Sequence, residues 1–195
     1  MTLLVAVEPA TGLCRVVLLG WLLTVGLANA AAAEEGEILT PPPGRSLFDF
    51  AAASIPDGTK AAHPVVSGRL GPFEGALIVL FHADDFREFH GWVLVPESGG
   101  YRKHVLPDVP QPVSTEVKAV FFADAGHDGR PELFVLAEHI SGVGRYPANV
   151  RPFCSTYPFT WDGAEFVFLD DLSARLDRCN AAGVRKQLQA YRGRR

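Results

Sequence analysis

The chain has no excess of either charge: 18 basic against 22 acidic residues leave a net charge of −4. A dedicated nucleic-acid binder would show a strongly basic face instead. It also lacks a Gly-x-Ser-x-Gly elbow, a His-Glu-x-x-His run, a phosphate-binding loop and paired catalytic carboxylates, so the familiar nucleophile, zinc-protease and nucleotide chemistries have no anchor. Cysteine is scarce, at three residues, and none stands in a Cys-x-x-Cys arrangement that would point to zinc or thiol redox catalysis. No internal repeat is clear enough to build a full propeller or solenoid. Even the main apolar run, 16–27, stops short of the roughly 20 residues that a membrane-spanning helix needs.

That run is informative for what surrounds it. Arg15 precedes it and Ala28-Asn29-Ala30 follows, which is the charged, apolar and small-x-small order of a cleavable export signal. A retained anchor is the alternative, and the short run beside an Ala-x-Ala site disfavours it. Cys14 lies before the apolar run, where a lipoprotein cysteine would have to follow it. Residues 1–30 are therefore expected to be a signal peptide. The Ala, Gly, Arg and Pro content of a GC-rich bacterial genome makes the destination the periplasm or the outside of the cell. No stable membrane insertion is expected after cleavage. Glu8 and Arg15 are the charged residues of the leader, so its removal leaves the net charge unchanged. The basic residues near the end (Arg185, Lys186, Arg192, Arg194, Arg195) read as a solvated helix end.

With Cys14 removed, Cys154 and Cys179 remain as an even pair bound for an oxidising compartment, which predicts a disulfide. Two free buried thiols are the competing reading. A crosslink of this span stabilises by roughly 3 kcal/mol on the chain-entropy model.

Residues 31–45 combine small, acidic and proline residues and read as a flexible linker, leaving 46–195 as one domain. From Val65 onward, short runs rich in Val, Phe, Trp and Tyr alternate with Gly, Pro and Asp clusters: 76–81, 92–95, 101–106, 117–122, 133–137, 159–161 and 166–169. Such runs predict strands, and those that are apolar at consecutive positions predict strands covered on both faces. Asp162-Gly163 and Ser98-Gly99-Gly100 mark hairpins. Helix is expected late, over 171–176 and then 181–191, with Asn180 as N-cap and Val184, Leu188 and Tyr191 on one face. The fold class is mainly β: an antiparallel meander, whether sandwich, open barrel or propeller-blade-like, with a C-terminal helix packed on it.

One segment invites a more specific reading. Over 117–137 a strand leads into Asp124-Ala125-Gly126-His127-Asp128-Gly129-Arg130-Pro131-Glu132 and then another strand. It resembles a single FG-GAP/VCBS repeat unit, whose acidic glycine loop often holds calcium. The resemblance implies Asp124, Asp128 and Glu132 as ligands and Gly129 at the sharp bend. Gly126 departs from the pattern, offering no side-chain oxygen to an ion that wants six to eight. The alternative is that Asp124 and Asp128 cap the turn by accepting backbone N–H bonds, with Glu132 solvated beside them.

Two further constellations carry candidate chemistry. His82-Ala-Asp-Asp-Phe-Arg-Glu-Phe-His90 places two histidines near carboxylates, although the spacing matches no metal motif; His127 and His139 are candidate general bases without an evident substrate site. Arg145, Tyr146, Arg151, Phe153, Tyr157 and Trp161 form an aromatic and arginine mixture of the kind that dominates binding hot spots. Otherwise they are a long loop held down by its own rings and the Cys154 crosslink. The expectation is an exported, non-enzymatic binding protein that recognises a protein or glycan of the cell envelope. A metal-dependent envelope hydrolase and a structural envelope component are the alternatives, and the oligomeric state stays open.

Overall fold

The computed structural model describes residues 36–83, 88–112, 114–140 and 152–192, with residues 191 and 192 as backbone only. The expected signal peptide lies outside them, and no helix among the described residues is long and apolar enough to cross a membrane. The elements are β1 (Ile38–Leu39), α1 (Leu47–Ala52), β2 (Lys60–Ala61), β3 (Val66–Leu70), β4 (Phe73–His82), β5 (Phe89–Glu97), β6 (Gly100–Val105), β7 (Thr115–Ala123), β8 (Glu132–His139), β9 (Phe153–Trp161), β10 (Phe166–Phe168), α2 (Asp170–Ser173) and α3 (Ala181–Arg192). The protein is mainly β, and every strand pair is antiparallel.

Two sheets result. The first has the order β1-β6-β5-β4-β2 with β3 also on β4; the second is the meander β10-β9-β8-β7. Strand parity then assigns the layers, because successive side chains leave a strand on opposite faces. On β4, Ala76, Ile78 and Leu80 enter the core between the sheets, where they meet Val93 and Val95 of β5, Leu133, Val135 and Ala137 of β8, and Tyr157 and Phe159 of β9. The intervening Leu77, Val79 and Phe81 face outward, together with Trp92 and Leu94, and are covered by Phe50 and Ala51 of α1. On the far side, Phe121 and Phe134 are covered by Leu176, Val184 and Leu188. Runs apolar at every position are thus explained by a helix outside each sheet.

Between α1 and α3 the sheets also approach each other laterally, where β3 curls toward β7. Gly68 makes this possible: a Cβ there would lie 2.3 Å from the Phe122 ring. The turn after β3 is fastened to the start of β8 by the Gly71 N–H donating to the Pro131 carbonyl at 2.7 Å.

Several local readings need adjustment. The segment expected to be a linker over 31–45 contributes β1 to the first sheet, with Ile38 opposite Arg102. Glu37, just before it, pairs with Lys103 at 2.7 Å, and that lysine is buried over the Trp92 ring. A Lys within an apolar sheet thereby keeps its charge satisfied. The Asp162-Gly163 turn is a four-residue loop, since Trp161 pairs with Phe166; Asp162 works through its carboxylate, which accepts N–H bonds from Ala164 and Glu165. Those bonds to the charged form, Glu165 first and Ala164 second, hold its pKa below the usual carboxylate value. Asn180 caps α3 as expected, its Oδ1 accepting from the Gly183 N–H at 2.7 Å. Cys154 on β9 and Cys179 before α3 are joined, with Cα atoms 5.3 Å apart.

Candidate functional site

The turn between β7 and β8 is built by its own carboxylates. Asp124 accepts the N–H of Asp128 on one oxygen, at 3.2 Å, and that of Gly129 on the other, at 3.1 Å; Asp128 accepts from Arg130 at 2.9 Å. Glu132 reaches back to the N–H groups of Ala125, at 2.7 Å, and Gly126, at 3.3 Å. The backbone bends through His127 at φ +60° and Gly129 at φ +80°. His is among the side chains that tolerate this region, and glycine occupies it without cost.

Gly126, the departure from the calcium-loop pattern, has a local cause. A Cβ at that position would stand 3.2 Å from the Glu132 carboxylate, which folds over the glycine to reach its N–H. Burial pushes the Glu132 pKa up, with the Ala125 and Gly126 N–H bonds working against it. Glu132 is therefore buried, where the capping alternative had it solvated. A carboxyl whose charged form is disfavoured, and whose oxygens already hold backbone donors, suits a turn brace better than a calcium ligand. Among the described residues, no three His, Cys, Asp or Glu side chains are placed to hold a metal ion. The donor set present does not fit the ion.

Asp124→Ala should cost about 1 kcal/mol by leaving two N–H groups to water. A loop closed on its own backbone should also melt at the same midpoint in EDTA and in millimolar Ca²⁺. A rise with Ca²⁺ would show the carboxylates turning outward to bind it.

Beside this turn lies an open cleft of about 300 Å³ between the end of β7 and α3. Ala123 and Leu188 line it with apolar surface, and Asp124, His127, Arg185 and Gln189 supply polar groups. Phe122 completes the lining; its carbonyl accepts from Arg185 Nη2 at 3.4 Å, while the guanidinium stacks 4.9 Å from the Phe121 ring. Arg185 is thus held across the β7 edge of the second sheet. Sequence reading placed Arg185 in a solvated tail, although its spacing from Leu188 and Gln189 is the i, i+3, i+4 signal that puts all three along one helix side.

The aromatic set is dispersed. Phe153, Tyr157 and Trp161 share one face of β9, but four-residue steps at about 3.4 Å per residue spread them over roughly 27 Å. Phe153 is exposed at one end. Tyr157 is buried in the core, where its hydroxyl meets His139 at 3.1 Å. Trp161, at the other end, packs edge-on against Phe73, His104 and Phe166. They do not form one recognition surface. Arg145, Tyr146 and Arg151 lie outside the described residues, as do 84–87.

The histidines also separate. The His82 Nδ1–H donates to the Glu88 carbonyl at 2.9 Å, and His90 faces Asp108 at 3.3 Å on the surface. His139 is fully buried and far along β8 from the exposed His127 of the cleft. No protein-family model, curated protein or solved structure matches the chain.

Proposed function

We propose that this is an exported, non-enzymatic binding protein of the cell envelope that recognises a protein or glycan through the cleft between the Asp124 turn and α3. The carrying observation is the cleft itself. It sets hydrogen-bond donors and acceptors of both kinds around an apolar floor, on a braced turn and a packed helix. Rigidly held polar groups over apolar surface are the usual composition of a recognition site. Export is supported by the Cys154–Cys179 crosslink, since such bonds persist in oxidising compartments. The single FG-GAP/VCBS-like reading of 117–137 fits this role as a scaffold for the turn rather than as a source of chemistry.

A hydrolytic role has less support. A general base is normally oriented by a second group. His127 has no hydrogen-bond partner among the described residues, and Asp124 spends both oxygens on the N–H groups of Asp128 and Gly129. The pair lines one cleft without forming a proton relay.

The test is retention of an envelope protein or glycan by the immobilised chain and by the double variant His127→Ala/Gln189→Ala. Both side chains are exposed, so the fold should keep its melting temperature. Affinity is expected to drop about tenfold or more, which is about 1.4 kcal/mol. Undiminished affinity in the variant would remove the cleft from the interaction.

A further inference from the structure

His139 ends β8 as a fully buried imidazole with both ring nitrogens occupied by hydroxyls. Thr115 Oγ1 lies 3.0 Å from Nδ1, and the Tyr157 hydroxyl 3.1 Å from Nε2. Each hydroxyl also reaches the connection that carries the chain from the first sheet to the second: Thr115 to the Pro112 carbonyl at 3.2 Å, Tyr157 to the Pro110 carbonyl at 3.3 Å. Proline has no N–H, so the connection at Pro107, Pro110 and Pro112 cannot join a ladder as a donor. Backbone bonds hold its two ends, Leu106 N–H to the Gly91 carbonyl and Ile140 N–H to the Ser114 carbonyl, and Leu106 and Val109 are buried in the core; between the prolines it is held by side chains. Gln111 adds a two-way bond to Phe89, accepting its N–H at 2.9 Å and donating to its carbonyl at 2.8 Å.

We propose that Thr115, His139 and Tyr157 form an acid-released latch, which fastens the connection at Pro110 and Pro112 to the second sheet while the imidazole is neutral and lets it go when the imidazole takes a second proton.

The neutral ring donates from one nitrogen and accepts on the other, which matches one hydroxyl in each role. A second proton would free both hydroxyls to face the proline carbonyls and so add one hydrogen bond. It would also place a full charge in the core. Among the described residues, the groups around it offer no compensation. Thr115 on β7, Phe153 and Tyr157 on β9, and Phe89 on β5 are uncharged; Tyr157 is the titratable one among them, and burial raises its pKa. Glu116 and Glu138 pair with Lys118. On the connection itself, Asp108 is 91% exposed and faces His90. An uncompensated buried charge outweighs one extra hydrogen bond. Burial accordingly lowers the pKa of His139.

The sign follows from proton counting. A histidine whose folded pKa lies below its ordinary 6.5 binds more protons in the open state, so the latch holds at neutral pH and weakens as pH falls below about 6.5. One proton per opening gives a tenfold change per pH unit. The His90–Asp108 contact lies on the surface and contributes too little to reverse this.

Two amides report the latch, because their acceptors lie on or beside the connection: Phe89, bonded to the Gln111 side chain, and Ile140, bonded to the Ser114 carbonyl. Hydrogen exchange of the full chain by NMR from pH 7.5 to 4.5 should show their protection, corrected for intrinsic exchange, falling up to tenfold per pH unit. Amides of β4 and β5 away from Phe89 should keep theirs. The loss should follow the titration of the His139 ring and not that of His82 or His90 in the same spectra. In His139→Gln, whose amide can donate and accept without titrating, protection should be flat. Several results would overturn the latch: protection independent of pH or rising in acid, loss that follows another histidine, persistence of the pH dependence in His139→Gln, or simultaneous loss across both sheets.

Discussion

Truncating Phe134 to alanine should lower the unfolding free energy by about 3–5 kcal/mol, the range for removing a fully buried aromatic ring. Phe134 is 0% exposed on the outer face of β8 and stacks on Phe121 at 5.3 Å, with the planes 9° apart. Leu176, Val184 and Leu188 close over the pair from the helical side. The cavity therefore opens under α3, where the sheet cannot collapse into it because its other face already holds Leu133 and Val135 in the central core. For a chain of this length each kcal/mol moves the midpoint by about 2–4 °C, so a fall of roughly 10 °C is expected on thermal unfolding. A second consequence is local. Short helices owe most of their stability to tertiary packing, so amide exchange in α3 should quicken before that of β4 and β5. A loss below 1 kcal/mol, or one spread evenly over the molecule, would mean that the helix does not rest on this ring.

Reduction of Cys154–Cys179 should remove about 3 kcal/mol, since the bond closes a loop of 25 residues and restricts the unfolded chain. The loop contains β10, α2 and the link into α3, and β10 is the short edge strand of its sheet. Without the crosslink, this edge is held by its pairing to β9, by Phe166 and Phe168 against the core, and by the Ser173 hydroxyl on the Thr156 carbonyl at 2.7 Å. Thermal unfolding with and without reductant should give midpoints separated by roughly 6–12 °C, and Cys154→Ser/Cys179→Ser should match the reduced wild type. Coincident midpoints would show that the crosslink does not form in the protein tested. The same variant separates the two ways of holding α3: if Phe134 is the anchor, α3 stays protected in the reduced protein and loses protection in Phe134→Ala.

Much of the architecture was legible because it is governed by periodicity. Ile78-Val79-Leu80-Phe81 and Leu133-Phe134-Val135-Leu136 have no polar face to give to water, and a strand of that kind needs cover on both sides whatever its partners. The Asn180 cap, the Cys154–Cys179 pair and the Val184/Leu188 face are similarly local or nearly so. α1 leaves little trace in the sequence for a physical reason: six residues, with Leu47 43% and Phe48 51% exposed, carry too little amphipathic signal to distinguish a helix from a loop. β1 is two residues long and exists through its partner β6. The calcium-like loop was legible as a turn, but which backbone N–H groups its carboxylates serve depended on Glu132 folding back over Gly126.

By itself, then, the sequence determined the class of fold, the two-sided burial of the central strands, the crosslinking pair and the capped terminal helix, because alternation, run length and capping act over a few residues. Tertiary structure alone decided that Tyr157 faces His139 in the core rather than a ligand, that Arg185 crosses the sheet edge to form a cleft with Asp124 and His127, and that Lys103 is buried against Glu37. Whether a polar side chain is a surface contact or a buried partner is set by which distant segment arrives opposite it, and no local pattern carries that information.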